Sequence, residues 1–400
     1  MYEIAYRASP PGGALHVVIM RIIMKKFGFV IVEFMKKDIV FSIAFMLALV
    51  SSVFVRPGVK VIEGIDFRTL VLLFSLMTVV GGLQRQFLFH RIGNTLILKI
   101  GNKRTLYFLL IILCFLFSMV LTNDVALITF VPFAVMVLPM ADCKKELPLI
   151  VVLQTLAANL GSVLTPLGNP QNLYLYNYSG MSLLEFLLWM LPMWLISLFL
   201  VVIPIFFMTN GKIGTPKSQS LPKVSKRRQF AFLGLFILCL LCVLKVIDYK
   251  LLLLFVLIVA LVFDYQAVFS VDFILLLTFV GFFVFVYNVK QVPEIVDWIS
   301  KIVSGREFVV GILASQIISN VPAALLLSGF TNQIKILLLA VDVGGMGTLI
   351  ASMASLISYK LYTATIDSNK GKYMLLFTGF NVAYLIIIFA FCVLWYGISL

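Results

Sequence analysis

Histidine is nearly absent: the 400 residues hold only two, His16 and His90, so no His-based metal or catalytic cluster can be assembled. Charge is scarce as well. Charged residues make up 12% of the chain, where a soluble domain carries about 25%. Five cysteines occur, Cys114, Cys143, Cys239, Cys242 and Cys392, without metal-ligand spacing. The one C-x-x-C, CLLC at 239–242, sits among membrane-type leucines, where thiols act as small hydrophobes. No glycine-rich phosphate loop is present, so ATP drive would need a separate ATPase subunit. An intramembrane enzyme would need a catalytic histidine, an aspartate pair or a Ser/Lys dyad within the apolar runs, and none is recognisable.

What is there is apolar. Hydrophobic residues reach 62% and the mean hydropathy is +1.11. Runs near the length of a bilayer crossing recur from end to end, which predicts an all-α polytopic membrane protein with about nine full spans. The net charge of +14 points to no nucleic-acid partner, because Lys and Arg cluster in short loops as the positive-inside rule expects. The stretch MRIIMKKFGFVIVEFMKK (20–37) reads as a basic amphipathic helix on the bilayer surface.

Two apolar segments are interrupted by asparagine. The runs 105–121 and 125–140 are joined only by Thr122, Asn123 and Asp124. Two full spans cannot be linked by three residues at mid-membrane depth, so a re-entrant hairpin is expected over 105–142. A second is expected over 306–341 around SNVP (319–322). Each is followed by a broken span. The first, 147–178, is interrupted by GSVLTPLGNPQN (161–172); the second, 342–362, by GGMGTLIASMAS (344–355). Backbone unwound at that depth must be buried in protein or line a wet cavity.

The halves match in order. DFRTLVLLFSL (66–76) parallels DFILLLTFVGF (272–282), Asn123 parallels Asn320, and Phe133 parallels Phe330. Gly161-Ser162 is set against Gly347-Thr348, and Tyr176 against Tyr362. Threading the chain with the N-terminus inside puts every strongly basic loop on one face and the C-terminus outside. The repeat is therefore inverted: an N-terminal arm and surface helix (1–37), a first repeat (38–209), a basic linker with a connecting span (210–248) and a second repeat (249–400). Interrupted segments at corresponding positions of two halves are the sequence mark of a transporter site.

The first tip offers a hydroxyl, an amide and a carboxylate. A half-helix ends there with free carbonyls and another begins with free N–H groups. The oxygens suit a hard cation such as Na⁺, with Asn123 and Asp124 as ligands, and the N–H groups suit an anion. Asp124 can alternatively carry a proton. Asn123 or Asp124 could instead simply cap the following half-helix. However, a carboxylate at mid-membrane costs roughly 2.5–3.5 kcal/mol and a cap returns about 1. That imbalance favours a coupling role for Asp124. Ser319 and Asn320 form the second tip, where Val321 takes the acidic place. Thr165, Gly168, Asn169 and Asn172 are the candidates in the first break, and Gly344, Gly347, Thr348, Ser352 and Ser355 in the second. The glycines and serines of the second break also fit a close helix-packing face. Asp342 is either a second functional carboxylate or a charge at the end of a loop.

At these residues the chain resembles the ion transporter superfamily. That group includes divalent anion/sodium symporters, citrate transporter-like proteins, arsenite permeases and sodium/proton antiporters. Carboxylate symporters carry Ser-Asn-Thr at both tips. Here the tips read Thr122-Asn123-Asp124 and Ser319-Asn320-Val321, and the Asn-Asp pair is more similar to the arsenite-permease branch. The resemblance covers about residues 38–397. It implies a scaffold and a moving transport domain, a homodimer, no bound cofactor, a coupling ion (H⁺ or Na⁺), and a small anion held between tips and breaks by alternating access.

Overall fold

The computed structural model describes residues 39–55, 59–88, 91, 100–213, 222, 224–365 and 368–399. The arm and surface helix expected over 1–37 lie outside the described residues. The described residues are helical apart from turns and one isolated bridge between Asn102 and Lys212.

The first half begins with α1 (Ile39–Phe54) and α2 (Phe67–Arg85). Hairpin 1 is α3 (Lys103–Leu121) and α4 (Asn123–Met140), followed by the broken pair α5 (Leu147–Gly161) and α6 (Pro170–Ser179), then α7 (Leu183–Phe206). The connecting helix is α8 (Lys226–Val243). The second half runs α9 (Tyr249–Phe263), α10 (Phe273–Val289) and α11 (Pro293–Val303). Hairpin 2 is α12 (Glu307–Ile318) and α13 (Asn320–Ser328), followed by the broken pair α14 (Ile334–Val343) and α15 (Met353–Thr363), then α16 (Lys370–Tyr396).

Local chemistry repeats with the elements. Both α2 and α10 follow a 3₁₀ turn and are capped by an aspartate, Asp66 accepting from Thr69 N and Asp272 from Leu275 N. Side chains of Ser182 and Asn369 cap α7 and α16 in the same way. Each cap satisfies one of the helix's orphan N–H groups. The halves interlock crosswise: α1 packs on α10 and α9 on α2, while α4 packs on α15 and α13 on α6. At the centre lies α5, buried at every residue except Leu149. The flanking α7 and α16 expose Leu188, Phe199, Leu375 and Leu394, as lipid-facing helices do.

Among the described residues, six helices or helical segments are long and apolar enough to cross a membrane, or up to seven if the bent pair α10–α11 counts as one span. The angle between those two is 111°. This is fewer than the nine expected. Among the reasons, α1 and α9 have 16 and 15 residues, short for a hydrocarbon core of about 30 Å. A third, α8, opens with Lys226, Arg227 and Arg228.

Two boundaries differ from the sequence expectation. The apolar run 323–341 is divided by a turn at 329–333, so hairpin 2 ends at Ser328 and the second broken span starts at Ile334, not at 342. The turn, Gly329 to Gln333, is flanked on both sides by leucine-rich helix and hides within the run. Hairpin 1 is also longer than its apolar runs: α3 has 19 residues and α4 has 18, against 12 and 9 in hairpin 2.

The basic loops converge at one end of the molecule. The Lys103 ammonium donates to Asp142 O (3.0 Å), Arg104 to Met208 O (3.2 Å) and Lys372 to Lys145 O (3.4 Å). Arg85 pairs with Asp264 at 2.9 Å, tying α2 to the end of α9.

Candidate functional site

Each hairpin turns on a single residue in an unusual backbone state. Thr122 has φ 83° and ψ 148°, and Ser319 has φ 76° and ψ 154°. An L-residue is costly in this region, about 1–3 kcal/mol, and persists only where its surroundings hold it. The next residue behaves alike at both tips. Asn123 Oδ1 accepts from Asp124 N at 2.9 Å, and Asn320 Oδ1 from Val321 N at 2.9 Å. Each asparagine thereby occupies its own helix N-terminus and leaves its amide NH₂ pointing onward. Asn123 N donates to Gly168 O at 2.9 Å, docking tip 1 on break 1. Gly168 is required there, because a Cβ would strike the Ser162 carbonyl.

The breaks bond to the opposite half. Asn159, on the last turn of α5, accepts from Asn123 Nδ2 (3.2 Å) and from Ser352 Oγ (3.0 Å), and donates to Gly345 O (3.4 Å). Asp342, on the last turn of α14, accepts through Oδ1 from Asn169 Nδ2 (3.3 Å) and Gln171 Nε2 (3.1 Å). Asn320 lies beside Gly345, its Nδ2 2.9 Å from where a Cβ would stand. Tip 1, tip 2 and both breaks thus share one buried polar cluster. One turn earlier on α5, Thr155 Oγ1 makes a separate link between the halves by bonding Ser358 Oγ at 2.7 Å.

These contacts correct the repeat register. LAANLGSVLT (156–165) aligns with LAVDVGGMGT (339–348). Gly161 then matches Gly344, and Thr165 matches Thr348. Gly161 abuts Ser118, and Gly344 abuts Ser315, each serine four residues before its tip. The threonines bond their own hairpins, Thr165 Oγ1 to Met119 O and Thr348 Oγ1 to Gln316 O. The earlier pairing of Gly161 with Gly347 and of Tyr176 with Tyr362 is off by three residues. The run of glycines, Gly344, Gly345 and Gly347, allows several registers by sequence alone.

The candidates divide into groups. Asn123, Gly168, Asn169, Ser319, Asn320, Gly344 and Ser352 come together at the cluster or frame it. Asn172 braces break 1 through Val163 O (3.2 Å) and Thr165 O (3.4 Å). Ser355 is buried nearby with its hydroxyl unpartnered. Thr165, Gly347 and Thr348 stitch the breaks to the hairpins, and Thr348 is exposed. Asp124 stands outside the amide network, with Oδ1 buried and unpartnered. Sequence reasoning missed Asn159 and Gln316. Gln316 donates to Gly344 O (2.8 Å) and Met346 O (2.9 Å) and accepts from Thr348 N (2.9 Å). The available signal was an amide inside an apolar run within four residues of a tip or break.

Residues 19–334 match the profile of the citrate transporter family. The chain belongs to that family. This citrate transporter family member is 31% identical over 355 residues to the transporter MJ0456 of Methanocaldococcus jannaschii, spanning 88% of this chain and 95% of the relative. It is 31% identical over 304 residues to the inner membrane protein YbiR of Escherichia coli, spanning 74% of this chain and 80% of that protein. A shorter match, 37% identical over 130 residues, is to the silicon efflux transporter LSI3 of Oryza sativa, covering 32% of this chain and 26% of the relative. As a member of the citrate transporter family the protein is a multi-pass membrane transporter and not an enzyme.

Proposed function

We propose that the protein is a secondary active transporter that moves a small anion, a carboxylate or an inorganic oxyanion such as arsenite, by ion-coupled alternating access. One observation carries this reading: both tips and both breaks meet in a single buried cluster of amides and hydroxyls, bridged by Asn123–Asn159–Ser352. Amide N–H groups and helix N-termini recognise the oxygens of an anion. Asn123 and Asn320 are the ligands that present them, with Asn169, Asn172, Ser352 and Ser355 lining the chamber. The family's name points to citrate and one relative's name to silicon, so carboxylate and inorganic cargo both belong in the screen.

Asp124 carries the coupling charge, H⁺ or Na⁺, beside Asn123. The protein sits in the plasma membrane as a homodimer, with the basic end and N-terminus inside and the C-terminus outside. A proteoliposome flux assay tests this. Citrate or arsenite should accumulate on imposing a pH or Na⁺ gradient, and Asp124→Asn should abolish accumulation while leaving thermal unfolding unchanged. Normal gradient-driven accumulation in the variant defeats the coupling assignment. Gradient-driven Na⁺/H⁺ exchange with no anion present would make the protein an antiporter instead.

A further inference from the structure

Asn159 and Asp342 occupy the same place in the two halves, LAANLG and LAVDVG. Each sits three residues after an equivalent leucine and two before an equivalent glycine. Each reaches into the other half's break and bonds its helix cap: Asn159 to Ser352, the N-cap of α15, and Asp342 to Asn169, the N-cap of α6. In both, Oδ1 accepts two hydrogen bonds. The difference lies in the second terminal atom. Asn159 Nδ2 donates to Gly345 O. Asp342 has Oδ2 there, buried and without a partner. The repeat places Ser162 where Gly345 stands in the other half.

We infer that Asp342 is a proton-binding residue of the transport cycle, and that a proton on Oδ2 makes it the working equivalent of Asn159. The proton bonds to Oδ2 and turns that oxygen into the donor its twin already has. Loss of the proton leaves a carboxylate with donors on Oδ1 alone and none on Oδ2. Two further oxygens beside it, Gln171 Oε1 and Asn172 Oδ1, are also buried without a donor, so the site is short of hydrogens. The residue is 4% exposed. A bare carboxylate there is costly unless paired or neutralised, and no cation among the described residues pairs with it.

The elements packed on α14 are chiefly α6, α12, α13 and α16. On α6 the titratable groups are tyrosines, and Tyr174 is engaged with Ser328 at 2.8 Å. On α12, Glu307 accepts from Thr331 at 2.8 Å. On α14 itself, Lys335 pairs with Glu185 at 2.6 Å. On α16, Tyr373 bonds Ser358 (3.1 Å), and Lys372 reaches Lys145 O at the basic end. No charged group occurs on α13. The groups that hydrogen-bond Asp342 are Asn169 and Gln171, both neutral.

The proposal rests on the transport reading, but its first test needs no substrate. Infrared difference spectra of the reconstituted protein should show a carboxylic C=O band at acidic pH that fades as pH rises. Asp342→Asn should delete that band, and Asp342→Glu should shift its frequency while keeping it titratable. A band untouched by both substitutions overturns the assignment. In the flux assay, Asp342→Asn should lose acceleration by a pH gradient; undiminished acceleration also overturns it. Absence of anion flux in the wild type would instead sink the transport reading and leave the infrared result to be judged alone.

Discussion

Asn159 Oδ1 holds both Asn123 of the first tip and Ser352 of the second break, at 3.2 and 3.0 Å. One side chain therefore fastens a hairpin of the first half to an unwound segment of the second. Its counterpart Asp342 fastens the reverse pair of halves, through Asn169 and Gln171. The buried cluster is built from this exchange of side chains, and its stability should depend on it.

Asn159→Leu should be among the more damaging substitutions in the chain. It leaves Asn123 Nδ2, Ser352 Oγ and Gly345 O buried without a partner, and each such group costs about 1–3 kcal/mol. Thermal unfolding in detergent should fall accordingly. Asn159→Asp keeps the acceptor but lacks the donor to Gly345 O. Its stability should recover at acidic pH, where a proton supplies that donor, and decline as pH rises. A pH-independent Asn159→Asp variant would contradict the bonding described.

Gln316→Met converts the second half to the first half's residue, since Met119 stands at the same distance from its tip. The glutamine makes three hydrogen bonds to break 2, and break 2 contains Gly347 at φ 108°. Loss of that clamp should cost roughly 2–3 kcal/mol, taking about 1 kcal/mol for each bond. Hydrogen exchange should rise at 344–351 and stay unchanged in break 1. Equal exchange in both breaks would show that Gln316 braces nothing.

The tips should respond to glycine in an unequal way. Thr122 and Ser319 hold a backbone conformation that suits glycine, at a cost of about 1–3 kcal/mol. Thr122→Gly should raise thermal stability by roughly 1 kcal/mol. Ser319→Gly should gain less, because Ser319 Oγ donates to Ala351 O at 3.3 Å. Both should lower anion flux by removing a tip hydroxyl. Unchanged melting in both would mean that the tips are not strained.

Composition alone made the membrane class legible, because no soluble fold tolerates so little charge. The tips were legible from Asn123 and Asn320, since an amide in an apolar run has few bland explanations. The crosswise contacts were not. Asn159 lies three residues inside an apolar helix, and its partners are 36 residues or more away. No local pattern encodes which break it enters. The second broken span was misplaced because Gly329 to Gln333 form a short turn between two leucine-rich helices, and hydropathy averages across it. The register slipped for a related reason: glycines at 344, 345 and 347 offer equivalent matches until Ser315 and Ser118 are seen against Gly344 and Gly161.

The unequal hairpins have an electrical consequence. At 1.5 Å per residue, the 19 residues of α3 extend about 28 Å from one mouth, and the 12 of α12 only about 18 Å from the other. On the proposed inverted topology, with the hairpins entering from opposite faces, the meeting point would lie off-centre in a dielectric slab about 30 Å thick. Membrane voltage is worth about 2.3 kcal/mol per elementary charge per 100 mV, and it divides unevenly about such a point. An ion would do the larger share of its work against the field on the hairpin 1 side, and a smaller but still substantial share on the hairpin 2 side.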